Sequence, residues 1–482
     1  MVSNGTPNGA GAGSYAVSSD MTANVREFEA DNCKALEVKG NEDLTYGFRF
    51  TRDVFGHHQT TLADMYNKWG RVLAVMDGPV SRLYGEKIKS YFAHHKLDCT
   101  IHVMEGGEFN KNMRTMESLV DAFDDFGLIR KEPVLVVGGG LVSDVCGYAC
   151  ASYRRSSNFI RVPTTLIGLI DASVSIKVGI NHKKLKNRLG AYHAPQMTFL
   201  DFDFLATLPE GQVRNGFAEL IKISSVGDIG IWKDLVKYGP QLVATRFGRL
   251  NGSPELKNVA DSICQRAVIL MLKLESGNLH EIRLDRVIAY GHTWSPTLEL
   301  TPVIPLRHGH AIMIDMAYGG TLAWKRGYIT EAELRELMGC AYAVGLSIDH
   351  EDFTESLVEK ATQAILKTRD GKQWFANPRP LGTCYFVNDA SMEELYAGLK
   401  THKELVQKWY PDYNKTHGVG HDAFVSKEDL GIDPEQLKKK TDGDLKKAPG
   451  VNAMQANGFA KDAGVIDGAE IRNHGMGVEC GC

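Results

Sequence analysis

The residue types able to do chemistry gather in three short segments: FAELIK (Phe217 to Lys222), GHTWSPTLE (Gly291 to Glu299) and RHGHA (Arg307 to Ala311). One carboxylate with two imidazoles, leaving a coordination position open, is the donor set of a catalytic zinc site. Glu219, His292 and His308 supply such a set. Glu219 and Lys222 lie three residues apart and so share one face of a helix. His292 and His308 lie sixteen apart across a proline-containing break and must come from successive elements. Taken singly, each of these groups is more often a buried structural residue. Only their convergence would make a metal site.

Two further segments could serve a ligand. In VLVVGGGLVSDVCGYAC, three glycines close an apolar strand and a helical pattern follows from about Val142. Glycines there let a backbone approach a pyrophosphate, and a helix start offers free N–H groups, so a dinucleotide suits the turn. The spacing is GGGxxxD and not GxGxxG, and a tight βα turn of any α/β protein remains an equal reading. The stretch DASVSIKVGINHKKLKNRLGAY (Asp171 to Tyr192) concentrates Lys177, His182, Lys183, Lys184, Lys186 and Arg188 after a predicted strand. Lysines are compact cations for a phosphate monoester, and the Asn187 amide could meet a hydroxyl. A solvated basic loop is the alternative.

The elements that must position these groups show in the apolar pattern. RVLAVMD (Arg71 to Asp77), CTIHVM (Cys99 to Met104), PVLVVGGG (Pro133 to Gly140) and NFIRVP (Asn158 to Pro163) alternate with helix-length segments, which indicates βαβ units and a parallel sheet. After Leu208-Pro209 the pattern turns to long amphipathic stretches. The expectation is an α/β protein with a disordered lead (1–24), a parallel-sheet domain (25–204), a mostly helical domain (205–410) and a polar, poorly ordered tail (411–482). The ligand cleft is expected between the two domains.

Bulk composition narrows the partners. The 482 residues are 43% hydrophobic and 24% charged with net charge -4, so nothing argues for nucleic acid. No run of eighteen apolar residues predicts a membrane span. The nine cysteines are scattered without paired CxxC motifs and read as reduced thiols of a cytoplasmic protein. The first residues lack the basic and apolar regions of a secretory signal.

In order along the chain, these segments resemble the dehydroquinate synthase superfamily over roughly Tyr46 to Tyr410. The resemblance is carried by GGE-x-x-K (Gly106 to Lys111), GGGxxxD (Gly138 to Asp144), SYxR (Ser152 to Arg155), VPTTL (Val162 to Leu166), DxSVxxKxGINHxxxKN (Asp171 to Asn187), TLP (Thr207 to Pro209), AExIK (Ala218 to Lys222), GHT at Gly291 and HG at His308. It implies a Rossmann-like NAD-binding domain followed by a helical metal-binding domain. Glu219, His292 and His308 would then hold zinc, with cobalt as an alternative. Asp77, Glu108, Lys111, Gly139, Gly140, Asp144, Thr164, Thr165, Phe204 and Thr207 fall on NAD-binding places, shared with Lys177 and Lys186. Arg155, Asp171, Lys177, Lys186, Asn187 and Lys222 fall on catalytic, phosphate-binding places. The SYxR arginine reaches a neighbouring subunit in that family, which implies a homodimer.

Departures from the pattern point to the substrate. Where dehydroquinate synthase carries Arg, Asn and a second His around the first zinc His, this chain has Asp285, Ala289 and Pro296, and Met271 stands in place of a Lys. The groups for the shikimate precursor's carboxylate are gone. RVIAYGHTWSPTLEL (Arg286 to Leu300), LKNRLGAYHAP (Leu185 to Pro195) and TRDG (Thr368 to Gly371) are instead similar to the sedoheptulose 7-phosphate cyclases. Ala289 with Thr368 is the pair of the desmethyl-4-deoxygadusol branch, where the 2-epi-5-epi-valiolone branch has Asp and His. The resemblance thus implies phosphate elimination from sedoheptulose 7-phosphate by transient NAD oxidation, reduction, ring opening, aldol closure and dehydration. A metal-dependent polyol dehydrogenase is the rival on the same fold.

Overall fold

The run RVLAVMD has no polar face to show to water, so it belongs between two covered faces of a parallel sheet. A computed structural model of the chain places it there, describing residues 21–30, 33–183, 185–413, 420–434, 436 and 437. The first described element is an antiparallel hairpin, β1 (Met21–Ala30) with β2 (Cys33–Glu42). It begins inside the stretch whose composition predicts a disordered lead; residues 1–20 lie outside the described residues. Cross-strand pairing is what orders it, as Val25 opposite Val38 illustrates.

The sheet proper contains β3 (Gly47–Thr51), β4 (Arg71–Asp77), β5 (Asp98–Met104), β6 (Val134–Gly138) and β7 (Phe159–Pro163). A separate hairpin follows, β8 (Lys177–His182) with β9 (Leu185–Tyr192), before the sixth sheet strand β10 (Met197–Asp201). The order is β3-β10-β7-β6-β4-β5, all parallel. From β4 the chain steps to β5 on one side and then to β6 on the other. Ligand crevices open outside the carboxyl ends of strands at such a switch point, where Asp77 ends β4 and Gly138 ends β6. β3 and β10 escape the sequence pattern because GFRFT and MTFLD are short and sit beside turn residues.

The short α1 (Thr61–Asp64), α2 (Gly78–His94), α3 (Met113–Phe126) and α4 (Gly140–Ser152) cover the sheet. Asp77 accepts the Val80 N–H at 3.0 Å and so caps α2, while Gly139 precedes α4 with no side-chain cap. The first turn of α4 therefore keeps its N–H groups available to a ligand. The basic stretch after Asp171 is no loose loop. It forms β8 and β9 because Gly179 and Gly190 let the two backbones close: a Cβ on Gly179 would sit 2.7 Å from the Leu189 carbonyl oxygen.

The rest of the chain is mainly helical: α5 (Glu210–Gly227), α6 (Ile229–Ala244), α7 (Pro254–Ser276), α8 (Ser295–Leu298), α9 (His308–Lys325), α10 (Glu331–Ala343), α11 (Glu355–Thr368), α12 (Met392–Trp409) and α13 (Lys427–Leu430), with a small hairpin of β11 (Phe375–Pro378) and β12 (Cys384–Val387). α5 is buried around its whole circumference from Val213 to Val226, as is α9 from Gly309 to Ala323. Helices without a wet face are the centre of a domain. Any charge they carry must be paired inside.

Composition predicts a poorly ordered tail after residue 410, yet residues 420–434 run back across the helices to the sheet domain. Arg307 donates its backbone N–H to the Ala423 carbonyl at 2.7 Å and its Nε to Asp429 at 3.0 Å. Beyond α13, Gly431 lies so close to Gly107 that a Cβ on either would strike the other's turn. This strap spans from the residue before His308 to the residue before Glu108. Asp429→Ala would strip a mostly buried guanidinium of its carboxylate and leave the Ser426 N–H without the side chain that accepts it. It is expected to cost about 2–3 kcal/mol, measurable by urea unfolding of the full chain.

Candidate active site

Glu219 comes from the middle of α5, His292 from the turn before α8, and His308 from the first residue of α9. One donor atom of each lies within 4.8 Å of the other two. Nδ1 of His292 is 3.0 Å from the Tyr290 carbonyl oxygen, so that nitrogen carries the proton and Nε2 is left for a metal. The turn is braced from α9, where Asp315 accepts the N–H groups of Thr293, Trp294 and Ser295 at 2.9, 2.5 and 2.7 Å. Arg369 of TRDG adds a contact of 3.4 Å to the His292 carbonyl. Burial and the nearby Lys222 ammonium push His292 down to about 3, which keeps it neutral, the ligand form. Burial opposes charge on His308 as well, but hydrogen bonds to Glu219 and Glu299 raise it to about 9. Burial would raise Glu219, and Lys222 with the histidines outweighs it and holds the carboxylate well below its usual range. An ionised carboxylate with two imidazoles is a donor set that zinc or cobalt accepts.

From these donors a run of alternating charges crosses to the sheet. Lys222 is held between Asp171 at 2.6 Å and Glu219 at 2.5 Å. Glu219 meets His308 at 3.0 Å, and His308 meets Glu299 at 3.3 Å. Glu299 takes a bond from Lys186 at 2.6 Å, and Lys186 lies 3.7 Å from Glu108. Asn181 donates to Glu108 at 2.8 Å and its oxygen accepts the Asn187 N–H at 2.9 Å. Lys111 closes the run, bonding Asn187 at 2.6 Å and Asp144 at 2.5 Å. Glu219 and His308 are thus linked to Lys186, Asn187, Lys111 and Asp144 by hydrogen bonds and one 3.7 Å ion pair.

Other predicted residues stand around this run. Thr164 donates its N–H to the Gly138 carbonyl at 3.0 Å, and a Cβ on Gly139 would lie 2.9 Å from the Thr165 methyl, so the strand ends present bare backbone beside Gly140. Thr207 bonds Tyr84 at 2.5 Å, and the Phe204 ring packs edge-on to Tyr84. Arg155 is the exception: it is exposed at φ +61° and, among the described residues, makes no bond to the site. The substituted positions divide. Asp285 borders a chamber with Lys177, Ala289 is buried, and Met271 packs in the helical core. Thr368 is exposed and turns its hydroxyl back to the Ile365 carbonyl, while its neighbour Arg369 faces the site.

Models of the 3-dehydroquinate synthase N-terminal and C-terminal domains match residues 101–215 and 216–371. A demethyl-4-deoxygadusol synthase of Trichormus variabilis is 50% identical over 398 residues, covering 81% of this chain and 97% of that protein. Among solved structures, a 2-epi-5-epi-valiolone synthase from Streptomyces hygroscopicus with NAD+ and Zn2+ bound matches with TM-score 0.72 and 37% identity, over 77% of this chain and 99% of the other. A 2-deoxy-scyllo-inosose synthase complexed with carbaglucose-6-phosphate, NAD+ and Co2+ matches with TM-score 0.59 and 19% identity, over 78% of this chain and 99% of the other, a likeness of fold alone.

Motif reading passed over the carboxylates that face the lysines. Glu281 holds Lys177 at 2.9 Å, and Glu275 lies 3.7 Å from the same ammonium, both lining a chamber of about 240 Å³. They lie outside every quoted motif, so spacing alone did not single them out. Among the described residues Glu275 has no other ion pair, and burial pushes it up to about 7. Its proton is held more tightly in the folded chain than in the unfolded one. The resulting stability is complete below about pH 4.5 and lost as pH rises through about 7. Unfolding of wild type and Glu275→Gln across that window should show the wild type losing up to about 3 kcal/mol more than the variant.

Proposed function

The chain belongs to the 3-dehydroquinate synthase family, and within it we propose an NAD- and zinc-dependent cyclase converting sedoheptulose 7-phosphate to demethyl-4-deoxygadusol with release of phosphate. The observation that carries the reading is the joined run of metal donors and site lysines. It is seconded by 50% identity over 97% of a demethyl-4-deoxygadusol synthase and 81% of this chain. The substrate choice follows from Asp285, Ala289 and Pro296, which offer no cation for a substrate carboxylate.

When bound, NAD takes up and returns a hydride and zinc polarises the hydroxyl oxygen being oxidised. The residues of this chain do the rest. Lys177 and Lys186 meet the phosphate and neutralise it as it leaves, with Arg155 contributed by a second copy. Lys222 and Asp171, 2.6 Å apart, orient hydroxyls beside the metal donors. Asn187, fixed by Lys111, presents its amide to the sugar. Asp77, the bare Gly139–Gly140 turn, Thr164 and Thr165 receive the dinucleotide at the switch point.

The same reading makes the enzyme a carbon–oxygen lyase of the mycosporine-like amino acid route, acting in the cytoplasm as a homodimer, with residues 25–204 as its nucleotide half and 205–410 as its metal half. Arg155 standing outside its own site supports the dimer, as do Val25, Leu36 and Val38 exposed on β1 and β2. No described helix is long and apolar enough to cross a membrane.

Incubation with sedoheptulose 7-phosphate and NAD is expected to release one phosphate per product without net NADH; stoichiometric NADH with no phosphate would select a polyol dehydrogenase. Mass spectrometry should find the gadusol-type product, and a product one water heavier would select the valiolone branch. His292→Ala is expected to lose bound zinc and turnover together, read by elemental analysis and phosphate release. Full activity of that variant would remove His292 from the donor set.

A further inference from the structure

One carboxylate stands between the metal donors and the cofactor side of the site. Glu299 follows α8 directly and is buried. Oε1 accepts from Lys186 at 2.6 Å, and Oε2 faces Nδ1 of His308 at 3.3 Å. Its own backbone is pinned at both ends, by a bond from its N–H to the Ser295 carbonyl at 2.8 Å and one from Leu306 to its carbonyl at 3.0 Å. The side chain therefore works from a fixed base.

A histidine that donates Nδ1–H to a carboxylate is obliged to offer Nε2 to the metal, and the bond raises its strength as a ligand. The Nε2 of His308 does point at Glu219. Among the described residues His292 has a backbone carbonyl for the same purpose, and the charged orienting group belongs to His308. Glu299 is no metal donor itself, being outside the Glu219, His292 and His308 group. Its other oxygen is spent on Lys186, so the two contacts share one negative charge. Metal on Nε2 makes the Nδ1 proton a stronger donor. Glu299 would then be drawn toward His308 and its hold on Lys186 would slacken, freeing that ammonium for an anion.

We propose that Glu299 is a positioning residue that orients the metal ligand His308 and restrains Lys186 with a single carboxylate, making metal and phosphate binding mutually supportive. The inference rests on the reading above only in taking Lys186 as a phosphate-facing group and the donor set as zinc-binding. It needs no sugar substrate, so a wrong product assignment would leave it standing.

The test uses the full chain, stripped of metal and then loaded with zinc, with inorganic phosphate as the probe. Zinc affinity is read by competition with a chromogenic chelator and phosphate affinity by calorimetry in both states. In the wild type, zinc should tighten phosphate about 5-fold or more. Glu299→Gln keeps the shape and removes the charge; it should weaken zinc about 10- to 100-fold and, at saturating zinc, abolish the effect on phosphate. Lys186→Met should weaken phosphate and tighten zinc, because Glu299 is then left to His308 alone, which a general loosening of the site would not do. Should Glu299→Gln fail to fold, Glu299→Asp, which withdraws the carboxylate by one methylene, must show the same lost coupling. Unchanged zinc affinity in a folded Glu299 variant, or zinc-dependent phosphate binding that survives it, would overturn the proposal.

Discussion

The structure depends on pairing charges in a place without water. Glu219 and Lys222 sit on α5, a helix buried on every side, where an unpaired ion is penalised by several kcal/mol. Each must therefore have a partner, and each partner brings its element with it: Asp171 the turn after β7, His308 the start of α9, Glu299 the end of α8. Along this stretch the four carboxylates Asp171, Glu219, Glu299 and Glu108 face two lysines, Lys222 and Lys186. Once a metal displaces the proton of His308, both imidazoles are neutral and a dication is the charge that balances the carboxylates. The same arithmetic that makes the interior costly makes it receptive to a metal.

The fold brings the nucleotide side to this interior from the other direction. The step from β5 across β4 to β6 opens the crevice where Asp77 and the Gly138–Gly140 turn end their strands. The β8–β9 hairpin then carries Lys186 and Asn187 out of the sheet domain toward α8. The strap of residues 420–434 closes the circuit. It ties Arg307, one residue before His308, to Gly107, one before Glu108. His308 and Glu108, two members of the charge run, thereby each follow directly on a residue that the strap holds.

Rigidity is concentrated behind the metal donors. Asp315 gathers three successive N–H groups of the His292 turn, and Arg369 anchors the same turn from the far side. TRDG serves the site through its arginine, while the neighbouring Thr368 points away from it.

Several features were legible in the residues alone. The βαβ pattern, the glycine turn, the Glu219, His292 and His308 donors and the Asp171–Asn187 stretch all have local signatures, because periodicity and motif spacing are set by backbone geometry and by the ligand's shape. What stayed hidden are groups defined only by what faces them. Glu275, Glu281 and Glu299 are ordinary glutamates until packing turns them onto lysines, β3 and β10 are strands only because neighbours complete their hydrogen bonds, and the 420–434 strap reads as solvated polar chain until Arg307 meets it. Composition reports how a segment would behave in water. The tertiary structure decides which segments water is excluded from, and so which charges must find one another.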